Sequence, residues 1–444
     1  MELHPICPLD DIRYGKLIEK YSSKFNNFEY YKQRFIVEMK YLRALLTDDD
    51  IFKQLAQKNP ILTKDSVEKF YINDFTKEDY EAIVEIEKTT NHDVKAIEYY
   101  IHQLLDKHGM SELKPYVHFG LTSQDVNSVA MTTMISKCFE EIENDLLILI
   151  DTIKTKLCKQ VPMLCFTHGQ PAVPSRMDKE MAVYTDRLLY ELGFFDDNFT
   201  VKFGGAVGNL NAHYFVFPEI DWHRFMTNFV RSYGFVRSEY TKQIDNYESI
   251  TRQLDCLKRI MVILQDFTNN VWLYIHKMYF IQESVAGEVG SSTMPHKVNP
   301  INFENAMGNL ALTIGFIQPF VNELPKSLFQ RDLKDLTMFR SLGMIFGYAG
   351  LSMAMITKGI TRLSINEKLI NTELNENVSV LAEAYQVYLK AIGKADSYEE
   401  LSKVTKGKVV TYEILHDYVD ALDIDETHKE KLKQLKVEDY IGVV

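Results

Sequence analysis

The chain has 444 residues, of which 46% are hydrophobic and 25% charged, an ordinary balance for a globular protein and one that excludes extended disorder. Its formal charge of −12, with no long basic run, gives no nucleic-acid footprint, so an anionic substrate would have to be met by a local cluster of Arg, Lys and His. Cys7, Cys138, Cys158, Cys165 and Cys256 form no CxxC pair, and their odd number argues against a disulfide framework and for a reducing compartment. The stretch "MELHPICPLDD" lacks the basic and apolar regions of a signal peptide, and "LLILI" at 146–150 is far shorter than a span of about 18 residues requires. The expectation is a cytoplasmic protein with no nucleic-acid and no membrane partner.

In chain order, the first helix start is signalled by Thr90 and Asp93, a Ser/Thr followed three residues later by an acid; the same capping signal recurs at Thr122 with Asp125 and at Ser175 with Asp178. From Gly120 to Pro162 neither glycine nor proline interrupts the chain, and apolar residues return every three or four positions, which predicts a helix of roughly 50 Å. Similar stretches run from Ser175 to Leu192, from Phe235 to Ala286 (one long helix with short interruptions) and from Ile360 to Ile392. They are separated by "THGQPAVP", "KFGGAVGNLNAH" and "GEVGSSTMPHKVNP", which read as polar loops. Asn299 before Pro300 reads as an N-cap with proline at the first helical position, placing Glu304 and Asn305 one turn inside the next helix. The pattern predicts an all-α protein built on a bundle of long helices. Glycine breaks suggest an N-terminal helical domain over 1–108, a central bundle over 109–359 and a C-terminal helical domain over 360–444.

Five polar clusters hold the residues that could carry chemistry: "RYG" at 13–15, "TTNHDVKA" at 89–96, "HFGLTSQDVN" at 118–127, "THGQPAVPSR" at 167–176 and the 287–300 loop. Helix N-termini in such clusters offer free N–H groups to anions. Asp93 and Asp125 also stand where each would do no more than cap a helix. His118, His168 and His296 lack metal-ligand spacing with acids or cysteines, so no metal is expected.

In these long, ordered motifs the chain resembles the fumarase/aspartase superfamily and, within it, the adenylosuccinate lyase family. The likeness spans at least Arg13 to Arg340. It implies a homotetramer with a central 20-helix core and active sites shared between subunits. It also implies a β-elimination that needs no cofactor: adenylosuccinate to AMP and fumarate, and the succinylated carboxamide nucleotide SAICAR to AICAR and fumarate. Such chemistry needs a base, an acid across the breaking bond, and fixed positive groups where carboxylate charge develops.

The resemblance assigns the base to Ser291, with Ser292 beside it, and the general acid to His168, whose imidazole can hold or release a proton near neutrality. A serine hydroxyl is a poor base and needs activation, for which Lys297 and the amides around Gly290 are candidates. His92, counted with the catalytic residues, and His118, with Asn91, Asp93, Thr122 and Ser123, would orient the substrate; Lys297 and Asn299 would meet the succinyl carboxylates, and Ser292 and Asn305 would also contact the substrate. Glu304 would partner an active-site histidine. Arg13 and Tyr14, with Gln243, Arg331, Thr337 and Arg340, would bind the nucleotide, because arginine's planar fork suits phosphate oxygens. Leu336 departs from the family pattern, which has serine there. Glycines 287 and 290 would let the loop open and close. Two other readings stay open: another lyase of the superfamily, such as an argininosuccinate lyase or a carboxymuconate cycloisomerase, disfavoured by "MPHK", "RYG" and "QRDL"; and a catalytically silent helical scaffold, disfavoured by the presence of Ser291, Lys297 and His168 together.

Overall fold

The computed structural model describes residues 13–68, 74–196, 198–284, 287 and 293–443. Ser291, Ser292 and Gly290 lie outside the described residues. Helices dominate, the longest being Ser123–Leu157 with 35 residues, Glu248–His276 with 29 and Ile301–Glu323 with 23. The chain groups into two compact units, each assembled from three separate segments.

One unit comprises 1–146, 191–262 and 308–353. Its core forms where helices approach closely at small residues. Gly350, on the helix Leu342–Ile360, lies so near Tyr21 of the helix Gly15–Ser22 that an added Cβ would fall 2.1 Å from the ring. The Tyr21 hydroxyl in turn donates to Asp145 at 2.6 Å, and Phe346 packs on Phe25 and Phe139 with centroids 5.9 and 5.3 Å apart. The stretch 334–360 is apolar enough to cross a membrane by composition, yet 72% of its most apolar window is buried, as in a core helix.

The other unit comprises 147–190, 263–307 and 354–444. It contains an antiparallel hairpin, Pro162–Thr167 with Gln170–Arg176, whose Leu164 joins a core of Leu374, Leu381, Tyr385, Leu389, Leu415 and Val419. A second short pair joins Phe280–Gln282 to Leu363–Ile365.

The expected helices need three corrections. "THGQPAVP" is not a loop between helices but the turn and second strand of the hairpin, and Ser175 sits in that strand opposite Met163 instead of capping a helix. The following helix starts at Met177, and Asp178 instead takes two 2.9 Å bonds from Arg176. Within 235–286 the helix is confined to Glu248–His276, bracketed by Tyr247 and Met278 with φ of 57° and 59°, left-handed values a right-handed helix cannot continue through. The 360–392 stretch divides into the strand Leu363–Ile365 and the helices Glu367–Glu376 and Ala382–Ala391, joined by the 3-10 turn Val378–Leu381. Absence of glycine and proline was not a sufficient sign of helix, nor a necessary one, since Ile301–Glu323 carries Gly308, Gly315 and Pro319.

Gly350→Ala tests the close approach in the first unit. Overpacking against Tyr21 should cost about 1–3 kcal/mol, read as a lower urea midpoint with unchanged slope.

Candidate active site

In the first unit the segment "TTNHDVKA" joins two helices. Asn91 ends the helix Lys77–Thr90 in a left-handed conformation, φ 48°, and His92 begins the helix Asp93–Lys107. The expected Thr90–Asp93 capping box is absent: the cap is the His92 ring itself, whose Nδ1 accepts from the Lys95 amide at 3.2 Å. That bond leaves Nε2 as the ring's remaining donor. Asp93 does more than cap. Its carboxylate pairs at 2.8 Å with Arg34, a side chain only 2% exposed. Burial alone would raise the Asp93 pKa, and the charge and hydrogen bond of Arg34, the Val94 amide and His92 together outweigh it, leaving the carboxyl below its ordinary range.

Arg34 was not singled out by sequence reasoning. It lies within "YYKQRF", a helical run without a motif, and only the fold reveals its setting. The guanidinium stacks 3.6 Å from the Tyr30 ring centroid and donates from Nε to Asn127 at 2.8 Å. It thereby ties the helices Asn27–Thr47, Asp93–Lys107 and Ser123–Leu157 together.

The second motif, "HFGLTSQDVN", leads into the helix Ser123–Leu157. His118 has φ 57°, and its Nδ1 lies 2.6 Å from Oε1 of Glu38, a fully buried carboxylate. Burial pushes the imidazole pKa down, but the charge and hydrogen bond of Glu38, with Glu98 and Asp125, outweigh this and hold it up at about 8. Gly120 follows with φ 71°, and the buried His213 ring occupies the space a Cβ would take, 2.5 Å away. Burial drives the His213 pKa down to about 4, consistent with a neutral ring bonded at 3.0 Å to the Tyr41 hydroxyl.

Thr122 and Asp125 form half of the expected cap, with the Thr122 amide donating to Asp125 Oδ2 at 2.8 Å. Asp125 has a larger task than the capping the sequence suggested. Fully buried, it meets Lys202 Nζ at 2.6 Å and accepts from the amides of Gly204 and Gly205 at 2.7 and 3.1 Å. Lys202 also donates to the Gly205 carbonyl at 2.6 Å. The sequence signal was present in "KFGG", but it read as punctuation.

The expected nucleotide contacts occupy the same unit. Arg331 faces the Gln124 side chain, whose oxygen, turned towards it, accepts from Nη2 at 3.0 Å. Asp335 accepts from the Tyr247 hydroxyl at 2.7 Å. The Gln243 amide bonds the Gln330 carbonyl at 3.2 Å, holding the 243 loop beside Arg331 in sequence. Leu336 lines a small cavity with Tyr30, Gln124, Asn127, Tyr247 and Phe339. Thr337 and Arg340 are exposed; the Thr337 hydroxyl bonds back to the Leu333 carbonyl at 3.2 Å. Arg13 lies 5.4 Å from the Tyr14 ring centroid at the start of the helix Gly15–Ser22. Ser123 is the first residue of its helix.

In the second unit His168 and Gly169 form the two-residue turn of the hairpin, with φ of 52° and 73° and Thr167 paired to Gln170. Positive φ at both turn positions matches the twist of the strands, and places the exposed His168 at the tip. The helix Ile301–Glu323 starts one residue later than expected, with the Pro300 carbonyl accepting from the Phe303 and Glu304 amides at 3.0 and 3.1 Å. Among the described residues Glu304 accepts from Trp272 Nε1 at 3.3 Å, and the carboxylate against His118 is that of Glu38. Lys297 is exposed, and Asn299 and Asn305 are half-buried; Gln282 holds the neighbouring Val298 carbonyl at 2.7 Å. Gly287 has φ 87°, a conformation that glycine adopts without strain. Among the described residues no three His, Cys, Asp or Glu side chains are grouped to hold a metal.

A lyase family model matches residues 13–315, and an adenylosuccinate lyase C-terminal model matches 327–441. Adenylosuccinate lyases from Legionella pneumophila and Haemophilus influenzae are 38% and 39% identical over 449 residues, covering 99% of this chain and 97% of theirs. The Dictyostelium discoideum adenylosuccinate lyase is 37% identical over 464 residues, covering 100% and 97%. The chain belongs to the adenylosuccinate lyase family. It is a lyase. At the level of fold, it is similar to 3-carboxy-cis,cis-muconate lactonizing enzyme from Pseudomonas putida, with TM-score 0.73, 16% identity and coverage of 97% and 96%. A fumarate lyase from Mesorhizobium sp. gives TM-score 0.71 at 13% identity, covering 100% and 97%. The all-α expectation therefore holds, with short strands added, and the C-terminal stretch for which the sequence offered only helical packing is itself part of the family match.

The Asp125–Lys202 pair should respond asymmetrically to mutation. Asp125→Asn strands a buried ammonium and should cost roughly 3–5 kcal/mol in urea unfolding. Lys202→Met should cost less, because the carboxylate keeps its backbone donors.

Proposed function

We propose that this enzyme cleaves adenylosuccinate to AMP and fumarate, and SAICAR to AICAR and fumarate, in purine nucleotide synthesis. The observation that carries the reading is identity of 37–39% to adenylosuccinate lyases along the whole chain, C-terminal segment included.

In the reaction a base removes a proton from the succinyl carbon next to a carboxylate, the C–N bond breaks, and its electrons leave with the nitrogen while the carbanion pair forms the fumarate double bond. The leaving nitrogen takes a proton from the acid. Ser291 is the proposed base and His168 the proposed acid. A turn tip suits the acid, since the hairpin offers the ring without surrounding it. Lys297 and Asn299 are assigned to the succinyl carboxylates, Ser292 and Asn305 to further substrate contacts, and Glu304 to an active-site histidine. His92, His118, Asn91, Asp93, Thr122 and Ser123 are assigned to substrate orientation. Arg13, Tyr14, Gln243, Arg331, Thr337 and Arg340 are assigned to the nucleotide, with Leu336 supplying apolar surface where the family has a hydroxyl.

The proposed assembly is a cytoplasmic homotetramer around a 20-helix core, with His168 and Ser291 of one site drawn from different subunits, and with the three-domain layout 1–108, 109–359 and 360–444. Exposed apolar residues on the long helices, among them Ile148, Leu189, Leu273 and Leu312, support such an interface.

Incubation with adenylosuccinate, argininosuccinate and malate, with fumarate or malate followed, tests the reading. Fumarate should form from adenylosuccinate alone among the three challenges, and Ser291→Ala or His168→Ala should lower kcat by about 10²-fold or more. Mixed Ser291→Ala and His168→Ala subunits should regain part of the activity. No turnover of any substrate would favour a silent scaffold.

A further inference from the structure

Below His118 lies a carboxylate that none of the motifs announced. Glu38, on the helix Asn27–Thr47, is fully buried, and Oε1 meets His118 Nδ1 at 2.6 Å. Its other oxygen, Oε2, is buried without a hydrogen-bond partner. Removing a carboxylate from water is costly unless an opposite charge compensates it.

Two other acids act on His118, and both have cations of their own. Glu98, on the helix Asp93–Lys107, is paired with Lys95 at 2.7 Å, and Asp125, on the helix Ser123–Leu157, is paired with Lys202 at 2.6 Å. Glu38 also acts on the hydroxyls of Tyr41 and Tyr233, which carry no positive charge, and Lys40 lies over the Tyr233 ring, 4.4 Å from its centroid. Among the described residues Glu38 forms its ion pair with His118. The 2.6 Å separation is that of a charge-assisted bond. With Nδ1 committed to Glu38, Nε2 is the ring nitrogen left for a ligand, and the left-handed backbone at His118 fixes where the ring starts.

We propose that Glu38 is a positioning residue for the lyase reaction, which orients the His118 ring and keeps it a charged donor so that Nε2 can grip an anionic group of the substrate. This rests on the assignment of His118 to substrate binding made above. Because the grip is made before and throughout bond cleavage, it acts on KM more than on kcat. The wild-type imidazole, held up at about 8, stays charged through neutrality. Without the Glu38 charge, burial would be opposed only by Glu98 and Asp125, and the pKa would fall.

The test uses Glu38→Gln, which keeps shape and an acceptor while removing charge, together with His118→Gln and the double variant, in the full-length protein. In Glu38→Gln, KM should rise about tenfold near pH 7.5 with kcat changed less than about twofold, and the rise should vanish on moving to about pH 6. The double variant should match His118→Gln. An inflection of KM unmoved by Glu38→Gln, a loss equal at every pH, or a double variant worse than His118→Gln would overturn the proposal. A second readout separates it from the catalytic assignment. In histidine-selectively labelled protein, the resonance missing from His118→Gln should titrate near 8 in wild type and lower in Glu38→Gln. If that resonance does not move, Glu38 does not set the charge; if it moves while wild type releases no fumarate, the function proposed above fails and the coupling stands.

Discussion

The first unit depends on one buried ion pair. Asp125 and Lys202 are both inaccessible to solvent, and a bare charge there would be prohibitive. The pair survives because the carboxylate is ringed by amides of Thr122, Gly204 and Gly205, and the ammonium also has the Gly205 carbonyl. The consequence is geometric. The start of the 35-residue helix is fastened to the glycine loop, and the residues that precede and begin that helix, His118, Thr122 and Ser123, inherit its rigidity.

A second buried charge, Arg34, performs the same service for the other motif. It grips Asp93 on one side and Asn127 on the other, with Tyr30 stacked against its face. His92 and His118 thus sit on segments held by charges placed beneath them. His118 takes its orientation from Glu38, outside its motif, whereas His92 is held by the cap it makes to Lys95. Preorganisation of this kind lets binding energy be spent on the substrate instead of on ordering the protein.

How much of this could be read beforehand follows from the range of each interaction. Long helices declare themselves by local periodicity, and Ser123–Leu157 appears where the uninterrupted apolar pattern placed it. The family motifs were legible because they are contiguous. The hairpin at 162–176 was not, since its proline-rich strands lack clear alternation and His168 in a left-handed turn has the sequence appearance of a loop. Glu38, Arg34 and Lys202 were missed for a deeper reason. Each is an ordinary charged residue in an ordinary stretch, and its meaning comes from partners 80, 59 and 77 positions away. Asp125 was underestimated for the same cause: a cap is a local reading, while the ion pair is tertiary.

We propose that the first unit binds a nucleotide phosphate, with Arg331 as one of its cations. Calorimetric titration of the full-length protein with AMP, at low and at raised salt, tests it most directly. Saturable binding that weakens with salt and weakens about tenfold or more in Arg331→Met is predicted. AMP binding absent at millimolar concentration, or indifferent to Arg331→Met, would contradict it.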